Sequence, residues 1–163
     1  SYELTNGSAN LSEEELNVRS TAALEKLSAY TGKGGVVGVR ANMLAGELTY
    51  RLKDYEKASG FYTAAALKGK KSYTNPLSYF NAAVSYEELG NNEKACEYFK
   101  KAASVKDFVL ATHAQFSLGR VYEAMGNVEE AKNTYSALFE NYPDDSWAKM
   151  AKSRLISLDA SNK

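Results

Sequence analysis

His113 is the single histidine of this 163-residue chain, and Cys96 is its single cysteine. One imidazole cannot build a histidine-rich metal centre, and no serine or cysteine stands beside it in a known nucleophile–base signature. His113 falls near the start of a helix, on a face expected to be exposed, where it is solvated or touches a partner. Cys96 has no partner for an internal disulfide, so sulfur says nothing about redox compartment. It follows Ala95 on a packing helix and reads as a small buried side chain. The alternative is a reactive thiol, for which Lys94 and Lys100 would supply positive charge. The run Gly32-Lys33-Gly34-Gly35-Val36-Val37-Gly38 lacks the Gly-x-x-x-x-Gly-Lys-Ser/Thr order of a phosphate loop, and a helix precedes it rather than a strand. It reads as a turn between helices, whose helix-start amides could hold an anion weakly. These residues point away from an enzyme, with no cofactor, no metal and no catalytic residue expected.

Charge is equally uncommitted. Lysine plus arginine equals aspartate plus glutamate at 20 each, so no net field draws the chain to nucleic acid or anionic lipid. Lys68, Lys70 and Lys71 form one basic cluster and Lys100, Lys101 and Lys106 another, both at helix ends where cations complement the dipole. Nucleic-acid binding would also need aromatic platforms among the basic groups, and Tyr73 alone offers itself. Glu13-Glu14-Glu15 suits the first turn of a helix. Hydrophobic residues make up 44% and charged residues 25%, ordinary for a globular domain, and a chain of this length buries roughly 70% of its unfolded surface. No apolar run approaches the ~20 residues that span a bilayer. The chain opens at Ser1 without a methionine, so the expectation is a processed or partial form whose targeting segment lies outside it.

The elements that would position these side chains are helical throughout. Residues 1–10 read as a loose polar leader, and residues 11–163 as one domain. Ser12 and Glu15 form a capping-box pattern opening a helix to residue 31, with Leu11 and Leu16 as a staple. Leu16, Ala23, Leu24, Leu27 and Tyr30 share one face of it. Helices then come in pairs: about 37–52 and 55–68, 76–89 and 93–104, 107–125 and 128–141. Asp54, Asn75 and Asn127 stand at N-cap positions, and Pro76 follows at a first helical position. Tyr142-Pro143-Asp144-Asp145 breaks the chain before a last helix at about 145–158. Short connections make neighbours antiparallel.

The pairs repeat. Tyr-Glu-Glu-Leu-Gly-Asn-Asn-Glu-Lys-Ala (86–95) returns 36 residues later as Tyr-Glu-Ala-Met-Gly-Asn-Val-Glu-Glu-Ala (122–131). A worn copy, Thr-Tyr-Arg-Leu-Lys-Asp-Tyr-Glu-Lys-Ala (49–58), stands 37 residues before the first. A fixed period of this size is the signature of a stacked-repeat fold. It resembles the tetratricopeptide repeat (TPR), a 34-residue helix hairpin. Alignment on Ala58, Ala95 and Ala131 equates Gly46, Ala83 and Gly119 as the small position of helix A, and Thr49, Tyr86 and Tyr122 as the aromatic position three residues after it. Lys53, Gly90 and Gly126 become the turn residue, Tyr62, Phe99 and Tyr135 the helix B ring, and Ala65, Ala102 and Leu138 its second small position. Pro143 matches the closing proline, where Lys70 and Asp107 stand in the other repeats. Glycine or alanine lets two helices approach closely, and rings fill the gaps between hairpins. The two or three extra residues per period belong in the linkers. The resemblance implies an all-α, right-handed superhelix of antiparallel hairpins, with repeats at about 39–72, 76–109 and 112–145 and a single helix at each end, about eight helices in all. A helical bundle without superhelical stacking is the other reading of the pattern.

In TPR proteins, helix A lines a concave, peptide-gripping surface. Transferred residue by residue, that surface is Arg40, Met43, Leu44, Glu47, Tyr50 and Arg51, then Leu77, Phe80, Asn81, Val84, Glu87 and Glu88, then His113, Phe116, Ser117, Arg120 and Glu123. Met43, Tyr50, Phe80 and Phe116 are large for exposed positions; either they form a partner site or the terminal helices cover them. TPR co-chaperones that hold a C-terminal carboxylate use a clamp of lysine, asparagine and arginine. Asn81 alone matches it, since Met43, Glu47, His113 and Ser117 occupy the remaining positions.

A narrower resemblance concerns setting. Leu27-Ser-Ala-Tyr-Thr-Gly, Asp54-Tyr-Glu-Lys-Ala and the ending Asn141-Tyr-Pro-Asp-Asp-Ser-Trp-Ala-Lys-Met-Ala-Lys-Ser-Arg-Leu look like bacterial envelope TPR proteins. These include translocon-ancillary and outer-membrane-assembly accessory proteins, tethered by an N-terminal membrane or lipid anchor. The resemblance implies a periplasmic, non-catalytic scaffold that binds another protein or peptide. It would meet a membrane only through a segment outside this chain. A cytoplasmic adaptor, a carrier of a small apolar ligand in a closed groove, and a homo-oligomerisation module are the alternatives.

Overall fold

The computed structural model describes residues 11–70, 72–105 and 107–160. The expected leader 1–10 and the cluster members Lys71 and Lys106 lie outside the described residues. Those residues form eight helices and no strand: α1 (Glu13–Thr31), α2 (Gly35–Arg51), α3 (Tyr55–Lys68), α4 (Asn75–Glu88), α5 (Asn92–Ala103), α6 (Ala111–Ala124), α7 (Val128–Asn141) and α8 (Ser146–Ala160). The all-α class expected from the repeat is therefore what the chain adopts. The chain divides into two compact units, Ser1–Ser85 and Tyr86–Lys163, the boundary falling inside α4.

The repeat shows itself in the turns. At each of the three hairpin tips two backbone bonds recur: Lys53 N–H donates to Tyr50 O, Gly90 to Glu87 and Gly126 to Glu123, each at 2.9 Å. The next amide reaches back five residues, Asp54 to Thr49, Asn91 to Tyr86 and Asn127 to Tyr122, again at 2.9 Å. This paired closure needs a left-handed residue at its fifth position. Gly90 and Gly126 take it at φ 70° and 75°, and Lys53 takes the same conformation at 60° without glycine's freedom. Asp54 and Asn91 then cap α3 and α5, accepting from Lys57 N and Lys94 N at 3.2 Å. Asn127 occupies the equivalent place but makes no side-chain cap bond; Val128 N–H instead donates to Gly126 O at 3.0 Å.

In the first unit α1 opens with the expected capping box, Ser12 Oγ accepting from Glu15 N and Glu15 Oε2 from Ser12 N. Leu16, Ala23, Leu24 and Leu27 are half-buried, whereas Tyr30 lies exposed. Asn42 of α2 ties the two helices together, its Nδ2 donating to Thr31 O and Gly38 O at 2.8 and 2.7 Å. α2 packs on α3 through Gly46, where a Cβ would sit 2.8 Å from the Tyr62 ring. Asn75 does not cap its own helix; its Nδ2 donates 2.8 Å to Ala66 O and satisfies the end of α3. A buried donor is better spent on an otherwise orphaned carbonyl.

The second unit is built on α6, α7 and α8. α6 begins at Ala111 and not at the expected residue 107, because Asp107 is left-handed (φ 62°). Turns from Phe108 N to Val105 O and Ala111 N to Phe108 O occupy the intervening residues. Gly119 repeats the contact of Gly46: a Cβ there would lie 2.8 Å from Cδ1 of Tyr135 and nearer still to Cε1. Ala131, Tyr135, Leu138, Ala148, Ala151 and Phe116 form one buried cluster, with Tyr122, Trp147, Leu155 and Leu158 packed against it. Ala58, Ala95 and Ala131, the three alanines on which the repeats align, are all completely buried.

Candidate functional site

Helix A residues of the first unit lie on α2 and the start of α4. Arg40, Glu47 and Arg51 are exposed, and Met43, Leu44, Tyr50, Asn81 and Val84 are half-buried. Phe80 is 8% exposed, so of the two alternatives open for this aromatic it takes the covered one. Tyr50 meets Tyr55 edge-on at 5.1 Å. Ser78 Oγ lies 2.9 Å from Met43 Sδ and holds that side chain in place. The N-terminal half of α2, the end of α3 and the α3–α4 linker enclose a cavity of about 680 Å³. Val36, Val39, Met43 and Leu44 supply its apolar walls, while Arg40 and Lys68 are its charged members. Sequence reasoning placed Arg40 and Met43 at a site, and it noted Lys68 and Tyr73 only as a basic stretch with one aromatic. Nothing in the repeat pattern marks a linker as part of a pocket.

In the second unit the same face is occupied. Trp147, on the first turn of α8, stacks on His113 with ring centres 3.9 Å apart and planes within 4°. It also lies against Phe116 at 5.3 Å, and Phe116 in turn meets Tyr135 at 5.6 Å. His113 is half-buried where an exposed side chain was expected, and Phe116, only 6% exposed, takes the alternative in which a terminal helix covers it. The physical reason is α8: its own apolar first turn needs burial and takes the helix A face to achieve it. Asp145 anchors that turn, with Oδ1 accepting from Trp147 N at 2.7 Å and Ala148 N at 3.4 Å, and Oδ2 from Thr112 Oγ1 at 3.2 Å. Burial holds the His113 imidazole below its ordinary pKa of 6.5, and Arg120 pushes the same way. Trp147 was quoted in the sequence without a role. The available signal was a bulky aromatic two residues after a helix-capping Asp145.

Two further candidates pair with each other. Arg120 holds Glu87 through both nitrogens, Nη1 to Oε1 at 2.7 Å and Nη2 to Oε2 at 2.9 Å. Glu123 is more deeply set, accepting from Tyr135 Oη at 2.6 Å and pairing with Arg154 of α8. Burial alone would raise its pKa, but hydrogen bonds from Arg154 and Tyr135, with the charges of Arg154 and Arg120, lower it overall. Tyr135 is raised by burial first and by Glu123 second. Cys96 is buried as expected, its sulfur 3.9 Å from that of Met125, and burial pushes the thiol up against the opposing pull of Lys100. Lys100 and Lys101 lie over the rings of Tyr122 and Tyr98 at 5.3 and 4.6 Å.

Comparison with known proteins agrees with the repeat. Residues 77–107 and 113–145 each match a family model described as tetratricopeptide repeat. A "TPR repeat-containing protein" of Treponema pallidum (strain Nichols) is 34% identical over 137 residues, 84% of this chain. The chain spans 57% of the length of that relative. Among solved structures, the nearly identical TPR-like repeats of a Podosopora anserina protein classed as a kinesin light chain superpose with a TM-score of 0.74 at 13% identity, covering 99% of this chain and 82% of that one. BtubC (BKLC) from P. vanneervenii superposes at 0.67 and 14% identity, covering 94% and 68%. Likeness at so low an identity speaks for the fold alone, and it is the same fold that the recurring turns and buried alanines describe. The chain thus carries tetratricopeptide repeats, two of them at residues 77–107 and 113–145.

Proposed function

We propose that this chain is a non-catalytic scaffold that holds a segment or domain of another protein on its helix A face, and that it works in a bacterial cell envelope. TPR repeats generally serve protein–protein interaction. The observation that carries the reading is the first unit's helix A face, where an apolar cleft at Val36, Val39, Met43 and Leu44 is bordered by exposed Arg40, with exposed Glu47 and Arg51 further along the same helix. Large apolar surface rimmed by charge is the usual make-up of a partner site. The groups that could have done chemistry are otherwise engaged: His113 is stacked on Trp147, and the Cys96 thiol is buried. The envelope setting is supported by the ending at 141–155 and by the bacterial relative. No described helix is long and apolar enough to cross a membrane.

A photo-crosslinking residue at Glu47, with one at exposed Gly60 of α3 as control, tests the scaffold reading in the native host. Adducts with another protein from position 47 and not from 60 are expected. Adducts with a second copy would replace the scaffold by a self-association module, and equal yields from both positions would end the reading. Fractionation of the full-length product tests the setting; recovery with the cytosol would remove the envelope.

A further inference from the structure

We infer that the cleft at the start of α2 is a docking site for a short segment of a partner protein that carries an acidic side chain two residues before a bulky aromatic one. The inference deepens the scaffold reading and rests on it.

Charge comes first. Among the described residues that line the cleft, Arg40 and Lys68 are charged and none is a carboxylate. Neither Arg40 nor Lys68 has an ion-pair partner among the described residues. Lys68 Nζ reaches only the Gly32 carbonyl, at 3.5 Å. Gly34, at the N-cap of α2, offers no side chain to the first-turn amides, which adds partial positive charge on the same side. Two cations beside apolar walls complement a ligand that is both acidic and apolar, and the buried part of such a pair strengthens in the lower dielectric.

Shape comes second. About 680 Å³ lies within the ~300–1,000 Å³ of ordinary ligand sites. Its mouth is not closed, however: Tyr73 is 93% and Val36 is 73% exposed. A small ligand needs most of its surface covered. A peptide needs only one or two side chains inserted while the rest runs over the rim.

The third observation is a template inside the molecule. Arg40 and Met43 are the repeat equivalents of His113 and Phe116, which receive Trp147 of α8, while Asp145, just before that helix, accepts from Thr112 of the same helix A. An aromatic two residues after an acid already packs on this helix A face in the second unit. In the first unit the equivalent face has an exposed arginine where the second has a half-buried imidazole.

The test uses fluorescein-labelled decapeptides centred on Asp-Ser-Trp, with Asp→Asn, Asp→Lys, Trp→Leu and Trp→Ser versions, titrated by anisotropy at ~50 and ~300 mM salt. The whole chain is compared with R40E/K68E and with V36Q, all at exposed positions and checked by circular dichroism. Expected are saturable binding of the acidic aromatic peptide, a loss of about tenfold or more for Asp→Lys, Trp→Ser and R40E/K68E, and a smaller loss at higher salt. R40E/K68E should bind the Asp→Lys peptide better than the parent. V36Q should weaken binding without changing the charge preference. Absence of saturable binding by every peptide overturns the inference, as does equal binding by R40E/K68E. Binding of dodecanoate in place of the peptides would also overturn it, making the cleft a carrier site. If position 47 still captures a partner protein while the peptides fail, this inference falls and the scaffold reading stands; if both fail, both fall.

Discussion

Arg40 and Met43 of the first unit hold the same repeat positions as His113 and Phe116 of the second, yet the first pair borders an open cleft and the second is packed against Trp147. Two local differences separate them. The connection entering α4 runs over residues 69–74, whereas that entering α8 runs over residues 142–145. The first turn of the helix that follows carries Pro76 and Leu77 in one case and Trp147 in the other. Repeat position therefore sets which way a side chain faces, and the first turn of the next helix decides whether it is core or surface. A face that is buried in one repeat is left open in another.

The largest expected effect comes from removing the cover. Trp147→Ala should destabilise the chain by about 3 kcal/mol in urea denaturation, since a half-buried indole and the docking of α8 are lost together. A cost under ~1 kcal/mol would mean α8 does not depend on that ring, and the comparison would lose its cause.

Glycine at the helix A small position sharpens the second contrast. Gly119→Ala should cost about 2–3 kcal/mol and Gly46→Ala about 1–2, because overpacking hurts most where the facing ring cannot yield. Tyr135 is fully buried and bonded to Glu123, whereas Tyr62 retains 5% exposure. Equal costs would show that the two hairpins are equally rigid.

Acid should act first on the second unit. His113 titrates below its ordinary 6.5, so the unfolded chain takes up a proton before the folded one does. Its contribution is present above pH 6.5 and is lost as pH falls through the lower folded value. Glu123 follows the same sign below its ordinary 4.5, through the lowered folded value. Trp147 is the single tryptophan, so its fluorescence reports the stack directly. An emission change beginning below pH 6.5 is expected, and His113→Gln should abolish that step while leaving the one below 4.5. A single transition unaffected by this variant would count against the stack as the sensitive element.

The smallest effect belongs to the hairpin tips. Lys53→Gly should stabilise by about 0.5–1 kcal/mol by relieving a left-handed residue that has a Cβ, and Gly90→Ala should cost about 1 kcal/mol. If thermal melts moved in the same direction for both, the two tips would not be equivalent.

Much of the architecture could be read from residue order. The alanines at 58, 95 and 131 were correctly paired, and even the degenerate Lys53 keeps the backbone of its glycine counterparts. Local rules suffice there because a tight tip and a close helix contact each admit few side chains. The helix starts were less legible: Asp107 turns left-handed and delays α6, and Asn75 spends its amide on the preceding helix. Both depend on a neighbour that a single segment does not contain.

Order of residues alone determined that the chain is helical, where its hairpins close and which side chains face across each pair, because these follow from periods of a few residues and from backbone sterics. Whether Phe116 and His113 would be site or core, and that Lys68 and Tyr73 would join Arg40 around a cleft, was decided only by the packed structure. Burial depends on which distant element gains most by covering a given surface, and that competition is settled between helices rather than within one.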